Sequence, residues 1–369
     1  MKFSYYIWVL YLLVFPFYVF PEGNPQMADF FGVILIFLNV KPILLNIKAS
    51  KFTRYLFLFV IYTFIINTLW MLFLRSYEPI ITSINYLYCF FLLLFFVDKI
   101  KDKTFLRYTL HAIALSLCIQ LIAFPFAPMH GFRAQLFFNN PNQLALWALC
   151  LIMISNIIAS ILKDIKFTYM LIISVLCTFF IMLSASRSAS VSVLLFWLFF
   201  FIKSKKHFLI FSVIGITTLS FLVLSNKIDL NNFKQLNYIV ERITGETNIM
   251  ASSGDIGRGY DRLFQFPQYL FFGAGEGEVE RFNSPIELHS TFVSILFSYG
   301  IVGFLLFIMA MVTFFKKIYR EIVALFIVIG LYATVHMSLR IPFLWITLFF
   351  IYVLYEHKTE QTPTTPLKN

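Results

Sequence analysis

His289-Ser290 stands where a polar stretch of about sixty residues, Asn226 to Leu288, runs into an apolar segment long enough for a membrane helix. An imidazole at the water-facing start of such a helix can take a proton from a hydroxyl. The helix dipole there disfavours its cationic form and so favours the neutral state a general base needs. The plainer alternative is an ordinary histidine at a helix start. Five arginines complete the chemically capable set: Arg133 in Gly131-Phe132-Arg133-Ala134-Gln135, Arg187 in a run of serines and alanines, Arg258 and Arg262 in Gly257-Arg258-Gly259-Tyr260-Asp261-Arg262, and Arg340. A guanidinium fork grips a phosphate or carboxylate bidentately, so these side chains suit an anionic substrate; their plainer reading is interfacial snorkelling. Arg75, beside Glu78, fits the plainer reading better.

The elements that position these residues follow from composition. Apolar residues make up 60% and charged residues 13%, with mean hydropathy +0.83, whereas soluble domains are about one quarter charged. The chain is therefore expected to be an all-α integral membrane protein. Runs long enough to cross roughly 30 Å of hydrocarbon number about twelve, starting near Tyr5, Asp29, Tyr55, Ile80, Tyr108, Pro141, Phe167, Ala189, Phe208, His289, Glu321 and Ile341. The opening run reads as an uncleaved first helix, because no small-residue cleavage site follows it. Residues 1–369 form a single polytopic domain, with 226–288 as a long loop between the ninth and tenth helices.

Charge orients the chain. Alternate loops collect 19 of the 29 lysines and arginines, from Lys2 through Lys41, Lys99, Lys163, Lys203 and Lys316 to Lys368, and leave 10 on the other side. The short loops of the sparse side hold Arg75, Arg133, Arg187 and Arg340 and no lysine. By the positive-inside rule both termini are cytoplasmic and the long loop is extracytoplasmic. The net charge of +11 thus reads as membrane topology, and with no long basic run, nucleic acid is not an expected partner.

Within the long loop, Gly273-Ala274-Gly275-Glu276-Gly277 lacks the flanking strand and helix of a nucleotide-binding loop. Such glycines let backbone pass close to a ligand or another helix. Glu280, Arg281, Glu287 and His289 crowd the loop's end, and some of these charges serve to keep it solvated. Cys89, Cys118, Cys150 and Cys177 all fall in apolar runs without metal-ligand spacing, so free, buried thiols are expected.

In this order the motifs resemble the bacterial O-antigen ligase and polymerase superfamily. The likeness is carried by Asn140-Pro141-Asn142-Gln143-Leu144-Ala145 opening a span, Ser186-Arg187 between two spans, Arg258 some fifteen residues before a Gly-x-Gly, and His289-Ser290 followed after nine residues by Gly300-Ile301-Val302-Gly303. The opening Phe20-Pro21-Glu22-Gly23-Asn24-Pro25-Gln26 with Asp29 is similar to exopolysaccharide polymerases of that superfamily.

The resemblance implies a GT-C-like membrane glycosyltransferase of the bacterial inner membrane. Its donor would be an undecaprenyl diphosphate-linked glycan, with a second glycan as acceptor, membrane lipid around it and a chain-length regulator as a partner. It implies His289 as general base and Arg187 and Arg258 as diphosphate ligands, with Arg133, Arg262 and Arg340 as helpers. Ser290, Gly300, Gly303, Asn140, Pro141, Asn142, Gly273 and Gly275 are the motif residues around them. Attack from the face opposite the diphosphate inverts the anomeric carbon. No cofactor is expected, and with no cluster of Asp, Glu or His in the sequence the mechanism is expected to be metal-independent.

Within the superfamily a polymerase is favoured over a ligase that hands glycan to lipid A core. The short outer loops argue against a protein-modifying branch. Outside it the rival is a transporter or flippase, whose twelve-span layout is similar. Against that rival stand the lack of a repeat between the halves, of a long central cytoplasmic loop, and of charges deep inside the spans. A non-catalytic scaffold would leave the arginine and histidine pattern without a purpose.

Overall fold

The computed structural model describes residues 2–21, 24–130, 133–202, 258–282 and 287–361. In lipid every backbone N–H and C=O needs a partner within the protein, so the apolar runs form helices. In chain order these are α1 (Lys2–Val14), α2 (Met27–Leu38), α3 (Val40–Asn46), α4 (Lys51–Leu74), α5 (Glu78–Lys99), α6 (Lys103–Ala123), α7 (Pro141–Leu162), α8 (Phe167–Leu183), α9 (Arg187–Ile202), α10 (Thr291–Val312), α11 (Arg320–Val335) and α12 (Pro342–Gln361). A two-residue hairpin, β1 (Met129–His130) and β2 (Arg133–Ala134), precedes α7.

Each expected span start except Phe208, which lies outside the described residues, falls within five residues of a helix start. Length divides them, however. Among the described residues α4, α5, α6, α7 and α10 are long and apolar enough to cross a membrane, and α2 with α3 makes a sixth if that pair, bent by 81°, counts as one span. The bend sits at Asn39, whose Nδ2 donates to the Leu35 carbonyl at 2.8 Å and so satisfies a group the break would otherwise leave bare. α1, α8 and α9 are apolar but shorter.

Local chemistry sets the helix starts. The Ser50 hydroxyl accepts from the Thr53 N–H at 3.0 Å and caps α4. The Asp102 carboxylate accepts from Thr104 at 2.8 Å and caps α6. Asn140 caps α7, accepting from the Gln143 N–H at 3.0 Å, with Pro141 at the first helical position, where its missing N–H costs nothing.

α7 is the central post: most of its apolar length is buried, whereas most of α4 is not. It packs against α8 and α12, while α4 pairs with α5 and α10, α1 with α2 and α6, and α9 with α11. Outward from the bundle point Phe37, Phe73, Ile122 and Leu72, each at least two-thirds exposed. A belt of that kind is intolerable in water and normal in lipid, so the chain is a membrane-embedded helical protein. All four cysteines are free, but Cys118 is exposed, contrary to the expectation that all four are buried; it lies on a face of α6 turned away from the bundle.

The two ends of the bundle differ. At one end lysines flank the helices, with Lys358 paired to Glu321 at 3.1 Å, Arg107 to Asp164, and Tyr5 hydrogen-bonded to Asp102. At the other end the loops knit together. The Tyr18 N–H donates to the Phe137 carbonyl at 2.9 Å, Asn139 Nδ2 to the Phe20 carbonyl at 3.1 Å, and the Thr291 N–H to the His336 carbonyl at 3.2 Å. The candidate residues gather at this second end.

Candidate functional site

α10 is broken at Gly300, whose φ of 62° and ψ of −172° lie outside the helical region. In an uninterrupted helix the Phe297 and Ser298 carbonyls would accept from N–H groups four residues on. The break frees them, and the glycine segment of the long loop takes the vacancy: the Ala274 N–H donates to Phe297 at 2.9 Å and the Gly275 N–H to Ser298 at 2.8 Å. The segment's carbonyls are met in turn. Tyr62 Oη donates to Phe272 at 2.9 Å and Trp70 Nε1 to Gly273 at 3.1 Å, while Arg281 Nη2 donates to Ala274 and, at 3.1 Å, to Gly275.

The glycines make this docking sterically feasible. A Cβ at Gly300 would lie 2.2 Å from the Phe271 carbonyl oxygen, one at Gly273 2.3 Å from that of Ser298, and one at Gly275 2.6 Å from the Trp70 ring. At Gly303 it would meet Tyr299 Cβ of the same helix at 2.4 Å and the Tyr62 ring of α4 at 3.2 Å, so this glycine serves the packing of α10 against α4. Gly300→Ala therefore meets backbone that cannot swing away and a positive φ that alanine resists. We expect it to cost at least about 1–3 kcal/mol, read as a lowered Tm of the purified protein, whereas Gly330→Ala, inside α11 where nothing lies within 4 Å, does not lower Tm.

The docked loop carries a carboxylate into the bundle. Glu276, 6% exposed, accepts from Tyr86 Oη at 2.6 Å and Tyr299 Oη at 2.8 Å. Its other oxygen accepts from Arg340 Nε at 3.1 Å and Nη2 at 2.9 Å. Its own N–H donates to Asn67 Oδ1 at 2.9 Å, and Asn67 Nδ2 donates to Ser83 and Tyr299. Arg340 Nη1 also reaches Glu287 Oε1 at 3.0 Å. Burial lowers the Arg340 pKa, but Glu276 and Glu287 outweigh it and raise it. Arg340 is thus committed to two carboxylates of its own chain, which argues for a bracing role in place of the diphosphate contact expected from sequence.

Arg262 is likewise occupied. It is 2% exposed, with its guanidinium 5.4 Å from the ring centre of Phe282, a member of the small apolar core that Phe282 forms with Ala274, Leu288 and Phe297. Burial lowers its pKa, and at 2% exposure the side chain is closed to a diphosphate, so that contact is not the role this setting favours. The neighbouring Arg281, which the sequence left among solvating charges, lies between Trp70 at 4.7 Å and Phe282 at 4.5 Å. Burial brings it down to about 10.

A different set converges beside this scaffold. Arg133 Nε donates to the Ser184 carbonyl at 2.8 Å and its Nη2 to Asn142 Oδ1 at 2.8 Å, tying the hairpin to the α7 start and the α8–α9 turn. Tyr332 Oη donates to the Asn142 carbonyl at 2.8 Å, and the His336 ring lies 4.7 Å from that of Tyr332. The His336 carbonyl accepts from both the N–H and, at 2.7 Å, the hydroxyl of Thr291, two residues after His289. Tyr260 Oη, two residues after Arg258, reaches the Thr334 carbonyl at 3.4 Å. These bonds bring Arg133, Arg258, His289 and His336 into one neighbourhood.

Its electrostatics are cationic. The water lost around the His289 ring and the nearby Arg258 lower its pKa, against the opposite pull of Glu287. Burial, His289, Arg258 and Arg133 bring His336 down to about 4. Both shifts favour the neutral imidazole, the form of His289 that can remove a proton.

Arg187 opens α9 and is exposed. Around it the Ser186 and Ser188 hydroxyls are buried and have no partner, a condition that costs about 1–3 kcal/mol per group unless something fills it. Ser290 caps α10, accepting from the Val293 N–H at 3.4 Å. Among the described residues no three His, Cys, Asp or Glu side chains form a metal-ligand set.

Sequence reasoning missed Glu276 and His336. His336 carried the same signal as His289, an imidazole at the end of an apolar helix, but without a long polar stretch to draw the eye. Glu276 had no local signal, since its tyrosines and Asn67 lie far away in sequence. No family model and no curated protein matches the chain.

Proposed function

We propose that the chain is a membrane glycosyltransferase that polymerises undecaprenyl diphosphate-linked repeat units by inverting transfer at the outer membrane face. The observation that carries this reading is the meeting of Arg133, Arg258 and two imidazoles, whose neutral form the surroundings favour, at the lysine-poor end of an apolar helical bundle. Guanidiniums suit the diphosphate of a lipid-linked donor, and a neutral imidazole suits deprotonation of an acceptor hydroxyl. The motif order quoted above supports the same reading. In it the chain crosses the inner membrane about twelve times in a GT-C-like arrangement, with both termini cytoplasmic.

Each residue then has a task. His289 takes the acceptor proton. Arg258, Arg187 and Arg133 hold the diphosphate and offset the charge that grows on it as the glycosidic bond breaks. Glu276, Tyr86, Tyr299 and Arg340 fix the loop that delivers Arg258. The test is direct: purified protein in lipid nanodiscs, given defined undecaprenyl diphosphate-linked repeat units and chelator, should yield a ladder of longer lipid-linked glycans. Absence of any glycan transfer, with the protein folded, overturns the reading; product appearing only on added lipid A core assigns a ligase instead.

Glu287 gives this reading a pH signature. Its carboxylate raises the His289 pKa, so Glu287→Gln lowers it further and keeps the base neutral to lower pH. The acid limb of the rate–pH profile is expected to move toward lower pH, while an unmoved limb separates Glu287 from the base.

A further inference from the structure

The neighbourhood holds two imidazoles, and glycosyl transfer as described above uses only one. His336 is half-buried at the end of α11, and its main-chain carbonyl, held by the Thr291 N–H and hydroxyl, fixes it close to His289 whatever its side chain does. Ser338 tightens the clamp by donating its N–H to the Thr291 hydroxyl at 3.1 Å. The ring lies against Tyr332, and Tyr332 is tied through Asn142 to Arg133.

The charged and titratable groups facing His336 are almost all cationic. They are His289 before α10, Arg258 from the loop and Arg133 from β2; Tyr260 reaches its helix end and Tyr332 precedes it by one turn. Arg187 opens the neighbouring α9. Among the described residues, Glu287, which acts on His289, is paired with Arg340, and Asp261, three residues after Arg258, accepts from Gln265 Nε2 at 2.9 Å. A site that concentrates cations around a neutral imidazole makes protonation hard while empty. It becomes easy once a dianion sits among them, because an anion within a few ångströms favours the charged form.

We propose that His336 is a second substrate-contacting imidazole, which takes a proton from water as the diphosphate of the lipid-linked donor settles among Arg133, Arg258 and the histidines; this rests on the glycosyl-transfer reading. In the transfer step the bond between the anomeric carbon and the diphosphate oxygen breaks, and its electron pair goes to that oxygen. The acceptor hydroxyl proton goes to His289. The diphosphate gains one negative charge, and the His336 imidazolium stands ready to offset it or to hand that oxygen its proton.

Binding rather than turnover tests this. The probe is undecaprenyl diphosphate carrying one hexosamine, because both its phosphates are esterified and keep constant charge between pH 5 and 8. With wild-type protein in nanodiscs, the Kd is expected to rise with pH over part of that window by up to about tenfold per unit, and calorimetry in buffers of different ionisation heat should show net proton uptake. His336→Gln and His336→Asn keep the carbonyl that receives Thr291 and should flatten the slope and abolish the uptake. His289→Gln removes any uptake by the other imidazole, and the slope and uptake that remain in it are expected to vanish when His336→Gln is added. A flat wild-type slope overturns the proposal, as does a slope that survives in the His336 variants or vanishes only in His289→Gln. Failure of the wild-type protein to bind the probe at all overturns the glycosyl-transfer reading with it.

Discussion

His289→Ala should leave a folded, membrane-inserted protein that elongates glycan about a hundred to ten thousand times more slowly, the range a general base commonly supplies. The side chain can be removed cheaply. His289 precedes α10, the helix cap belongs to Ser290, and the clamp to the next chain segment belongs to Thr291. An unchanged Tm together with lost polymer thus isolates chemistry from structure, while near wild-type polymer removes His289 from the role. A transporter predicts a different phenotype: altered movement of lipid-linked units with no transfer to lose.

The structure gives a reason why the histidine and the distant glycines occur together. Gly300 and Gly303 follow His289-Ser290 at fixed spacing on α10, and their roles are structural. Gly300 breaks the helix so that two carbonyls become free, and the loop spends two N–H groups on them. At membrane depth an unpaired peptide group is expensive, so such a break persists only where another segment fills it. The loop that fills it carries Glu276 inward and also contains Arg258. The helix break, loop docking and site cations are therefore one construction.

How much of this could be read from sequence depends on how local each signal is. Helix positions were legible because a long apolar run must be helical in lipid, and Asn140-Pro141 marks a start through chemistry confined to four residues. The gathering of polar residues at one end was legible from lysine counting. What sequence could not give was the partner of each arginine. Arg133, Arg258, Arg262 and Arg340 look alike as residue types, yet Arg340 is held by two carboxylates and Arg262 rests on an aromatic ring. The same holds for Glu276, a charge in a polar loop whose burial depends on Tyr86, 190 residues away. Charges were expected to stay out of the spans; among the described residues this buried ion pair is delivered by the loops at the helix ends.

That distinction makes arginine-to-lysine exchange the sharpest test of the anion site. Arg258→Lys and Arg187→Lys keep the positive charge, and so the membrane orientation, but lose the planar fork that matches two phosphate oxygens. Losing one charge-assisted hydrogen bond of roughly 1.5–3 kcal/mol in the transition state slows transfer by about ten- to a hundredfold. Arg75→Lys, at an exposed helix end of α4, should be nearly silent. Arg340→Lys should differ from all of these, because it strips one of two contacts from Glu276 and one from Glu287; its loss should appear as a lowered Tm as well as lost activity. Polymer yield and length from purified variants, read beside their melting temperatures, separate the three classes. If Arg258→Lys and Arg187→Lys both retain full activity, neither guanidinium clamps the diphosphate, and both revert to interfacial anchors.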